Sequence, residues 1–313
     1  MPSRDGWHDG ELAMHHMLHV PTRPNPTTPG LGASYAYRVA ASPLVALGTL
    51  DAAGRPWTTV WGGEAGFARP VAQGVLGVVG TVDTVHDPVF RALWGRDAEG
   101  ADEEHVIEGT AAEPQVFRPA DGEGKMMSGL SIDLSTRDRV KLAGRMMAGA
   151  VLPRAPAKSA PEPGAGSESP AEGVAEVQLA MVVTESLGNC PKYLNKKDIS
   201  PHAPQPEVAS TTLPLPAEAV DLVHRADLFF LSSTSGETMD TNHRGGPPGL
   251  IRVVSNDAEK GVVLVYPEFS GNRLYQTLGN LQARPLIGIV VPDFETSDAL
   301  FVSLLFPLPR TWV

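Results

Sequence analysis

The sequence predicts a mainly β protein with minor α content, built from two similar halves. Gly and Pro number 32 and 29 among 313 residues, and such frequent punctuation is typical of short strands joined by turns. Runs rich in Val, Ile, Leu, Thr and Phe recur along the whole chain. Several blocks of the first half return in the same order in the second half. The length suits one large domain or two ordinary ones.

Nine segments carry the strand pattern, and Gly or Pro often bounds them. They are residues 43–50, 56–62, 74–81, 175–186, 227–234, 250–255, 261–267, 286–292 and 299–306. Helical patterns are few and fall at residues 10–20, 216–226 and 272–282. The second of these begins with Pro and Glu, as a first helical turn should. The third spaces three leucines on one face.

Composition and charge exclude some classes of partner. The net charge is −11 at pH 7, so nucleic acid and anionic membranes are poor partners for the whole surface. Cys190 is the only cysteine, which fits a reducing compartment. The first residues lack the basic start and apolar core of a secretory signal. The longest apolar stretch, 71–82, is too short to cross a membrane, and the expected location is the cytoplasm.

Internal repetition is the main clue to the organisation of the chain. The matched blocks are 42–70 with 226–253, 87–93 with 272–278, and 129–142 with 289–302. One residue of difference in a turn brings Gly62 and Gly63 onto Gly245 and Gly246. Because three blocks match in the same order, the sequence predicts two copies of one β-rich domain, each of a usual domain size.

Several of these segments resemble the pyridoxamine 5′-phosphate oxidase-like, FMN-binding split-barrel family. They are GRPWTTVWGGEAGF (54–67), NCPKYL (189–194), DTNHRGGPPGLIRV (240–253), GNRLYQTLGNLQARP (271–285) and PDFETSD (292–298). The resemblance implies a six-stranded Greek-key barrel with small helices, a dimer with FMN at its interface, and redox chemistry. Two tandem copies would form such a pair within one chain, giving two Greek-key split β-barrels with short flanking helices. The resemblance supplies no substrate.

The expected domain boundaries follow from the repeat and the resemblance. They are an N-terminal helical extension over 1–36, a first barrel copy over 37–199, a linker over 200–215, and a C-terminally shortened second copy over 216–313. Residues 152–175 are nearly all Pro, Ala, Gly, Ser and Glu. Such a composition buries too little apolar surface to offset the entropy of ordering, so this insert is expected to be disordered.

The two copies differ where the phosphate of a flavin would bind. The aligned pairs are His243 with Val60, Arg244 with Trp61, Asn272 with Asp87, and Arg273 with Pro88. The second copy therefore carries cations and donors at two places where the first carries apolar residues, a proline and an acid. The sequence predicts one competent anion site per chain, built by the second copy.

The chemistry of the predicted site rests on donors to an anion. An arginine such as Arg244 presents a planar fork to two phosphate oxygens. Asn272 and Arg273 are expected to open a helix, whose N–H groups and dipole favour an anion. Gly245 lets the backbone come close, and Ser270 adds a hydroxyl group.

The remaining predicted contacts complete the cofactor site. Thr241 is expected to assist, and Trp61 of the first copy, with Trp57, is a candidate for packing against an isoalloxazine ring. The predicted cofactor-binding residues are Arg244, Arg273, Asn272, His243, Gly245, Ser270, Thr241 and Trp61. A compact phosphate cradle favours FMN over FAD or haem. The electron donor is expected to be NAD(P)H or a reductase, further oligomerisation stays open, and no general acid or base is assigned.

Other interpretations stay open at this point. Arg244 can instead form a surface ion pair with Asp240 or Glu237, and the glycines and prolines after it can be only a turn. The protein can be a non-catalytic flavin- or haem-binding module for storage or sensing, because fold does not fix function. A structural protein without any cofactor is a third alternative.

A few further residues invite a chemical role. Glu11, His15 and His19 lie four apart on a predicted helix, so they can bind a metal or form a solvated polar face. Cys190 is either a buried small hydrophobe, a flavin neighbour or a redox-active thiol. The family resemblance implies that Lys192 and Tyr193 point toward the ligand, and nothing else in the sequence supports this role.

Overall fold

The structure is a computed structural model and describes residues 6–21, 23–96, 105–108, 113–120, 122–152, 173–188, 192–202 and 204–306. Cys190 and most of the predicted insert lie outside these described residues. Val174 and Ala175, which the sequence placed in the insert, are the first residues of a strand. The described chain is mainly β with minor α, as predicted, and its antiparallel sheets do not close into a barrel.

The first half of the chain forms one antiparallel sheet. Its strands are β1 (Thr28–Pro29), β2 (Leu44–Leu50), β3 (Pro56–Gly62), β4 (Ala68–Ala72), β5 (Val75–Asp83), β6 (His105–Glu108), β7 (Gln115–Pro119), β8 (Lys125–Asp133), β9 (Asp138–Val151) and β10 (Val174–Gly188). The main path runs β3-β2-β8-β9-β10-β5-β4, and β1, β6 and β7 attach to it. We call β1–β10 with the helices between them the first half.

The second half forms a smaller sheet and a separate hairpin. Its strands are β11 (Leu228–Thr234), β12 (Met239–Gly245), β13 (Arg252–Asp257), β14 (Gly261–Val265), β15 (Leu286–Pro292) and β16 (Ala299–Leu305). The sheet has the order β12-β11-β15-β16, and β13 pairs only with β14. All nine strands predicted from sequence are observed, and β8, β9 and β12 are among those that the pattern did not single out.

Five helices flank the sheets in the part of the chain that the structure describes. They are α1 (Asp9–Met17), α2 (Ala33–Ala41), α3 (Pro88–Leu93), α4 (Ala217–Arg225) and α5 (Gln276–Ala283). Helix α3 packs on β2 and β3, whereas α5 packs on β11 and β12 and is crossed by α1. The crossing is close, because a Cβ added at Gly10 would lie 2.1 Å from the carbonyl oxygen of Gly279. None of these helices is long and apolar enough to span a bilayer.

The strand pairing of the two halves follows the same register. Leu44 pairs with Gly62 in the β2–β3 hairpin, and Leu228 pairs with Gly245 in the β11–β12 hairpin. The next pair of neighbours matches as well: Ala46 pairs with Leu130 between β2 and β8. Its counterpart is the pairing of Phe230 with Val290 between β11 and β15. Each half therefore holds a hairpin and a third strand in equivalent positions.

The two sheets pack face to face through an apolar layer with a hydroxyl cluster inside it. The apolar residues include Leu44, Ala46, Leu130, Ile132, Leu228, Phe230 and Val290. Thr58 donates to Ser232 Oγ and to the carbonyl of Gly288, both at 2.8 Å. On the other hairpin, Thr241 Oγ1 lies 2.6 Å from Ser128 Oγ. Thr58 and Thr241 occupy equivalent strand positions, so the contact between the halves is nearly reciprocal, as in a two-fold interface.

Candidate functional site

Three of the segments that resemble the flavin-binding family meet at a small cleft in the second half. The cleft has a volume of about 80 Å³ and lies between the end of β12 and the start of α5. Its lining residues are Lys192, Tyr193, Asn242, His243, Arg244, Gly245, Glu268, Phe269, Ser270, Gly271, Asn272, Leu274, Tyr275, Gln276 and Thr277. We call it the β12–α5 cleft.

The structure brings five of the eight predicted residues to this cleft. They are His243, Arg244, Gly245, Ser270 and Asn272. The other three lie elsewhere: Arg273 is an exposed residue outside the lining. Thr241 is buried in the hydroxyl cluster between the sheets. Trp61 is buried in the core of the first half and lines neither this cleft nor the larger one that adjoins it.

Arg244 is largely buried, with its side chain 12% exposed, and is already paired. Its Nε donates to Glu268 Oε2 at 2.8 Å, and its Nη1 donates to the carbonyl oxygen of His243 at 3.0 Å. Burial works to lower the pKa of Arg244, but the Glu268 carboxylate more than offsets it, so the pKa is raised. The surface ion pair with Asp240 or Glu237 is thus not formed. The cation is held in place by an acid that a ligand anion would have to share or displace.

His243 lies beside Arg244 but faces the first half. Burial lowers its pKa well below the ordinary value, and the charges of Arg139, Arg244 and Lys141 lower it further. The imidazole is therefore neutral at pH 7. Its Nδ1 is buried and has no hydrogen-bond partner. His243 thus borders the β12–α5 cleft without bringing a positive charge to it.

Gly245 serves the approach of another backbone segment. A Cβ at this position would lie 2.2 Å from the carbonyl oxygen of Tyr193, so only glycine fits. Tyr193 has a positive φ of 61° and stacks on Phe269 with ring centroids 4.4 Å apart. This aromatic pair forms one wall of the cleft, and Tyr193 is half exposed.

The helix at the cleft begins later than the sequence suggested. Asn272 and Arg273 were expected to open it, but they lie in a turn in which the Arg273 N–H donates to the carbonyl of Ser270 at 2.8 Å. Helix α5 starts at Gln276, and its N-cap residue Tyr275 has a left-handed backbone with φ 55° and no side-chain cap. Two residues with positive φ, Arg273 and Tyr275, delay the helix by three residues.

The equivalent helix of the first half has a strong cap of its own. The buried Asp87 carboxylate accepts hydrogen bonds from the N–H groups of Val89 and Phe90, both at 2.9 Å. Its second oxygen accepts from Thr59 Oγ1 at 2.6 Å and from Trp61 Nε1 at 2.9 Å. Burial raises the pKa of Asp87, although these four hydrogen bonds oppose the rise.

Strand register relates the two helix termini residue by residue. Thr59 and Asn242 pair with equivalent residues of β2 and β11, and so do Trp61 and Arg244. In the first half these positions surround a carboxylate from the chain itself. In the second half they border the β12–α5 cleft, where Arg244 takes the position of a neutral indole.

A larger cleft adjoins the first across Gln276. It has a volume of about 300 Å³ and lies between α1, β9, β10 and α5; we call it the α1–α5 cleft. Lys141 forms a buried ion pair with Asp240 and donates to Gln276 Oε1. Thr277 Oγ1 donates to Asp240 at 3.2 Å. These four residues form the partition between the two clefts.

Helix α1 packs on α5. Two of the three residues predicted as possible metal ligands, Glu11 and His15, are buried. Glu11 is buried and accepts from the His8 N–H at 3.0 Å, and burial raises its pKa to about 7. His15 is buried, with Nε2 2.8 Å from the carbonyl oxygen of Leu274 and its ring against Trp7. No group of three metal-binding side chains occurs among the described residues. Neither the metal site nor the solvated polar face is observed.

Comparison with known proteins gives only distant matches. No protein-family model and no curated protein matches the chain. One solved structure, a "putative pyridoxamine 5′-phosphate oxidase" from Lactobacillus delbrueckii, is 11% identical with a TM-score of 0.27, covering 51% of this chain and 95% of its own. The FAD and haem binding protein from Mycobacterium smegmatis is 11% identical with a TM-score of 0.21, covering 62% and 96%. At these values the matches assign neither a family nor a function.

Several residues of the site were not found from the sequence. Glu268 lies 24 residues from Arg244, and no periodicity links the two. Lys141 comes from the other half of the chain and reaches Asp240 only across the interface between the sheets. One signal was present in the sequence. Asp87 of the first half aligns with Asn272 of the second, so only the first half has a carboxylate at this helix terminus.

Proposed function

We propose that the protein is an FMN-binding flavoprotein, with the flavin phosphate held in the β12–α5 cleft. One observation carries the proposal. The N-terminus of α5 has no side-chain cap and opens beside Arg244, whereas the equivalent terminus of α3 is filled by the Asp87 carboxylate. A helix N-terminus with an adjacent cation is a favourable place for an anion.

The first half shows what an anion at this place needs. Asp87 receives two backbone N–H groups and two side-chain donors. In the second half, the first-turn N–H groups of α5, Arg244 and Asn242 are the corresponding donors. Of these donors, Arg244 has Glu268 as its acceptor, and no side chain caps the first-turn N–H groups of α5. A doubly charged phosphate is a stronger acceptor for an arginine fork than a single carboxylate.

The two clefts adjoin each other, and their volumes fit a phosphate group in the smaller one and a ring in the larger one. A volume of about 80 Å³ is below the ~300–1,000 Å³ of a typical ligand pocket and suits only a small group. The adjoining α1–α5 cleft, at about 300 Å³, is at the lower end of that range. The phosphate would lie beside Arg244, and the rest of the ligand would extend past Gln276 or along the Tyr193–Phe269 pair.

The chain's own residues then have defined roles. Arg244 and the α5 terminus bind and orient the phosphate, and Glu268 keeps the guanidinium in position when no phosphate is there. Neutral His243 borders the cleft without adding charge to it. When bound, a flavin supplies hydride or single-electron transfer, and the protein supplies binding, orientation and electrostatics. Reduction by NAD(P)H or a reductase is part of the proposal, as is the tandem pairing of two related copies that creates one open site.

The first test is the visible absorption spectrum of the purified protein, followed by release of the cofactor and its identification by mass. We expect a flavin spectrum with about one FMN per chain. Two FMN per chain would contradict the asymmetry between the halves. A Soret band would favour the haem-binding alternative, and a colourless protein that fails to take up added FMN would contradict flavin binding altogether.

A second test isolates the phosphate. Flavin fluorescence quenching is measured with FMN and with riboflavin, which lacks the phosphate, on the wild-type chain and on Arg244→Lys. We expect riboflavin to bind at least about tenfold more weakly, which corresponds to ~1.4 kcal/mol, and Arg244→Lys to abolish most of this difference because the fork is lost. Arg225→Lys, at an exposed arginine away from the cleft, is the matched control. Equal affinity for FMN and riboflavin would contradict the proposal.

A further inference from the structure

The α1–α5 cleft has an acidic lining, although the proposed phosphate site next to it is built from donors. Among the described residues that line it, five carry a carboxylate and one is a lysine. They are Asp9, Glu11, Glu185, Glu237 and Asp240, with Lys141. Five negative charges against one positive charge leave an excess of four when all five acids are ionised. A cleft lined by one sign of charge attracts ligands of the opposite sign.

The acids lie at different depths of the cleft. Glu11 and Asp240 are 4% and 8% exposed, so they form its floor. Asp9, Glu185 and Glu237 are exposed residues and lie toward its mouth. A ligand that reaches the floor therefore passes exposed carboxylates first, and an elongated ligand contacts acids at both ends.

The floor already holds one ammonium group of the chain itself. Lys141 pairs with Asp240 and donates to Gln276 Oε1. Glu11 has no such partner, because only its Oε2 accepts a hydrogen bond, from the His8 N–H at 3.0 Å. Its Oε1 has no hydrogen-bond partner among the described residues, yet it is not one of their enclosed unpaired atoms. Oε1 therefore faces the cleft that Glu11 lines.

The surroundings of Glu11 leave its charge without a counter-charge. The ionisable groups that line the cleft with it are His8 and Asp9 of α1, Lys141 of β9, Glu185 of β10, Asp240 of β12 and Glu237 of the β11–β12 turn. Helix α5 contributes the uncharged Gln276 and Asn280. His8 Nε2 lies 3.7 Å from Glu11 Oε2, but burial lowers the pKa of His8. Burial, Asp240 and Glu185 all act to raise the pKa of Glu11, which is about 7.

The rest of the lining includes apolar side chains beside these acids. They are Trp7, Leu142, Ala143, Leu187, Met239 and Ala283. A volume of about 300 Å³ is at the lower end of the range for small-molecule pockets. A short methylene chain that carries an ammonium group at each end matches both the apolar surface and the separated carboxylates.

We propose that the α1–α5 cleft binds a small aliphatic diamine or polyamine, with one ammonium group on Glu11 and another among the acids of the mouth. Charge-assisted hydrogen bonds to carboxylates supply the affinity, and the apolar side chains cover the methylene groups. The proposal does not depend on the flavin. A diamine in this cleft leaves the Tyr193–Phe269 pair as the wall for a flavin ring.

The experiment is isothermal titration calorimetry of the full chain with three ligands of matched length. They are 1,4-diaminobutane with two charges, n-butylamine with one, and uncharged 1,4-butanediol. At pH 8 we expect the diamine to bind at least about tenfold more tightly than n-butylamine, because it makes one more charge-assisted contact. We expect no binding of the diol. Absence of diamine binding, or equal binding of the diol, would overturn the proposal.

The dependence on pH identifies Glu11 as the floor contact. The ligand's amino groups, like those of lysine, stay protonated near neutral pH, whereas Glu11 must lose its proton to receive an ammonium group. With a pKa of about 7, the diamine is expected to bind about tenfold more weakly at pH 6 than at pH 8. Glu11→Gln is expected to bind about tenfold more weakly at pH 8 and to lose this dependence. Any protonation of His8 affects both chains, so it cancels in the comparison.

Two surface variants separate a site from attraction by the whole protein. Glu237→Gln, at an exposed residue of the mouth, is expected to weaken diamine binding by roughly threefold without affecting the fold. Glu259→Gln makes the same change of charge at an exposed residue outside the cleft and is expected to leave binding unchanged. Equal weakening in both variants would overturn the proposal, because it would show general attraction by the net charge of −11. The absorption spectrum tests the flavin separately, so the two proposals can fail independently.

Discussion

The ends of the two hairpins hold opposite charges in the same backbone frame. At the end of β3, Trp61 and Thr59 donate to the buried Asp87 carboxylate. At the end of β12, the equivalent positions are Arg244 and Asn242, and the adjacent helix α5 lacks a side-chain cap. The first half thus carries its own anion, and the second half carries a cation and an open cleft. The same backbone frame therefore surrounds a carboxylate of the chain itself in one half and an arginine beside a cleft in the other.

The same contrast extends to the covering of the two helices. In the second half α1 lies across α5, and Glu11 contacts Gly279 so closely that a Cβ there would lie 2.6 Å from Glu11 Cγ. In the first half, no other helix packs on α3 among the described contacts between elements. Helix α1 therefore packs on the second half, and it forms one wall of the α1–α5 cleft.

The largest effect is expected from breaking the ion pair between Arg244 and Glu268 in the β12–α5 cleft. Arg244→Ala leaves Glu268 with an uncompensated charge in a largely buried setting, which costs roughly 3–5 kcal/mol of unfolding free energy. Urea denaturation measures it. Arg244→Gln combined with Glu268→Gln is expected to recover most of the loss, because neither charge remains. A loss below about 1 kcal/mol for Arg244→Ala would show that the pair is solvated, and that the cation is not held in place for a ligand.

A slightly smaller loss of unfolding free energy is expected when the buried Asp87 carboxylate is removed. Asp87→Ala removes a helix N-cap, worth ~1 kcal/mol, and leaves the buried donors of Thr59 and Trp61 unsatisfied at ~1–1.5 kcal/mol each. The sum is about 3–4 kcal/mol, again by urea denaturation. Asp257 accepts two backbone N–H groups in the same way but on the surface, so Asp257→Ala is a matched control with a much smaller effect. Equal losses at both positions would contradict a buried anion site in the first half.

The third prediction concerns pH and the helix that covers only the second half. Burial raises the pKa of Glu11 to about 7 from 4.5, so the folded state binds a proton that the unfolded state releases. The contribution of Glu11 to the free energy of unfolding is therefore fully present below about pH 4.5 and is lost as the pH rises to about 7. At ~1.4 kcal/mol per pKa unit, the loss is about 3 kcal/mol.

Comparison with Glu11→Gln isolates this contribution. His8, whose pKa is lowered by burial, favours folding in the opposite direction, since a buried neutral imidazole loses stability as the pH falls through its unfolded value. The difference in unfolding free energy between wild type and Glu11→Gln, measured at pH 4.5 and at pH 7.5, cancels the His8 effect. A pH-independent difference would mean that Glu11 keeps an ordinary pKa and stays solvated.

Regular elements were predictable from the sequence where periodicity and β-propensity agree. All nine predicted strands exist because Val, Ile and Leu runs between turn residues have few other solutions. Strand β9 escaped the pattern because it buries Arg139 and Lys141, and charged residues are expected to be exposed. Lys141 is paired with Asp240 of the other half, and this is tertiary information that no local window contains.

The candidate site was predictable only in part, for a similar reason. The contrast between Arg244 and Trp61 could be read from the repeat, since it depends on local alignment. The start of α5 could not, because Arg273 and Tyr275 adopt positive φ values that residues other than glycine rarely take. Glu268, which decides the state of Arg244, comes from a separate loop. The prediction of the site is limited by the sequence separation between residues that meet in the fold, such as Arg244 and Glu268.

The smallest effect is expected at two ion pairs that lie in similar places in the two halves, although their residues are not aligned with one another. Arg38 of α2 donates to Asp138, and Arg225 of α4 donates to Asp293 at 2.6 Å; each pair joins a helix to the turn of a strand hairpin. Arg38 also donates to the carbonyl of Arg139 and is 27% exposed, whereas Arg225 is 44% exposed. Exposed pairs contribute ~0–1 kcal/mol, so Arg225→Gln is expected to lower the unfolding free energy by less than 1 kcal/mol, and Arg38→Gln by somewhat more. A larger loss for Arg225→Gln would reverse this order. It would mean that the second half depends more on its surface contacts than the first half does.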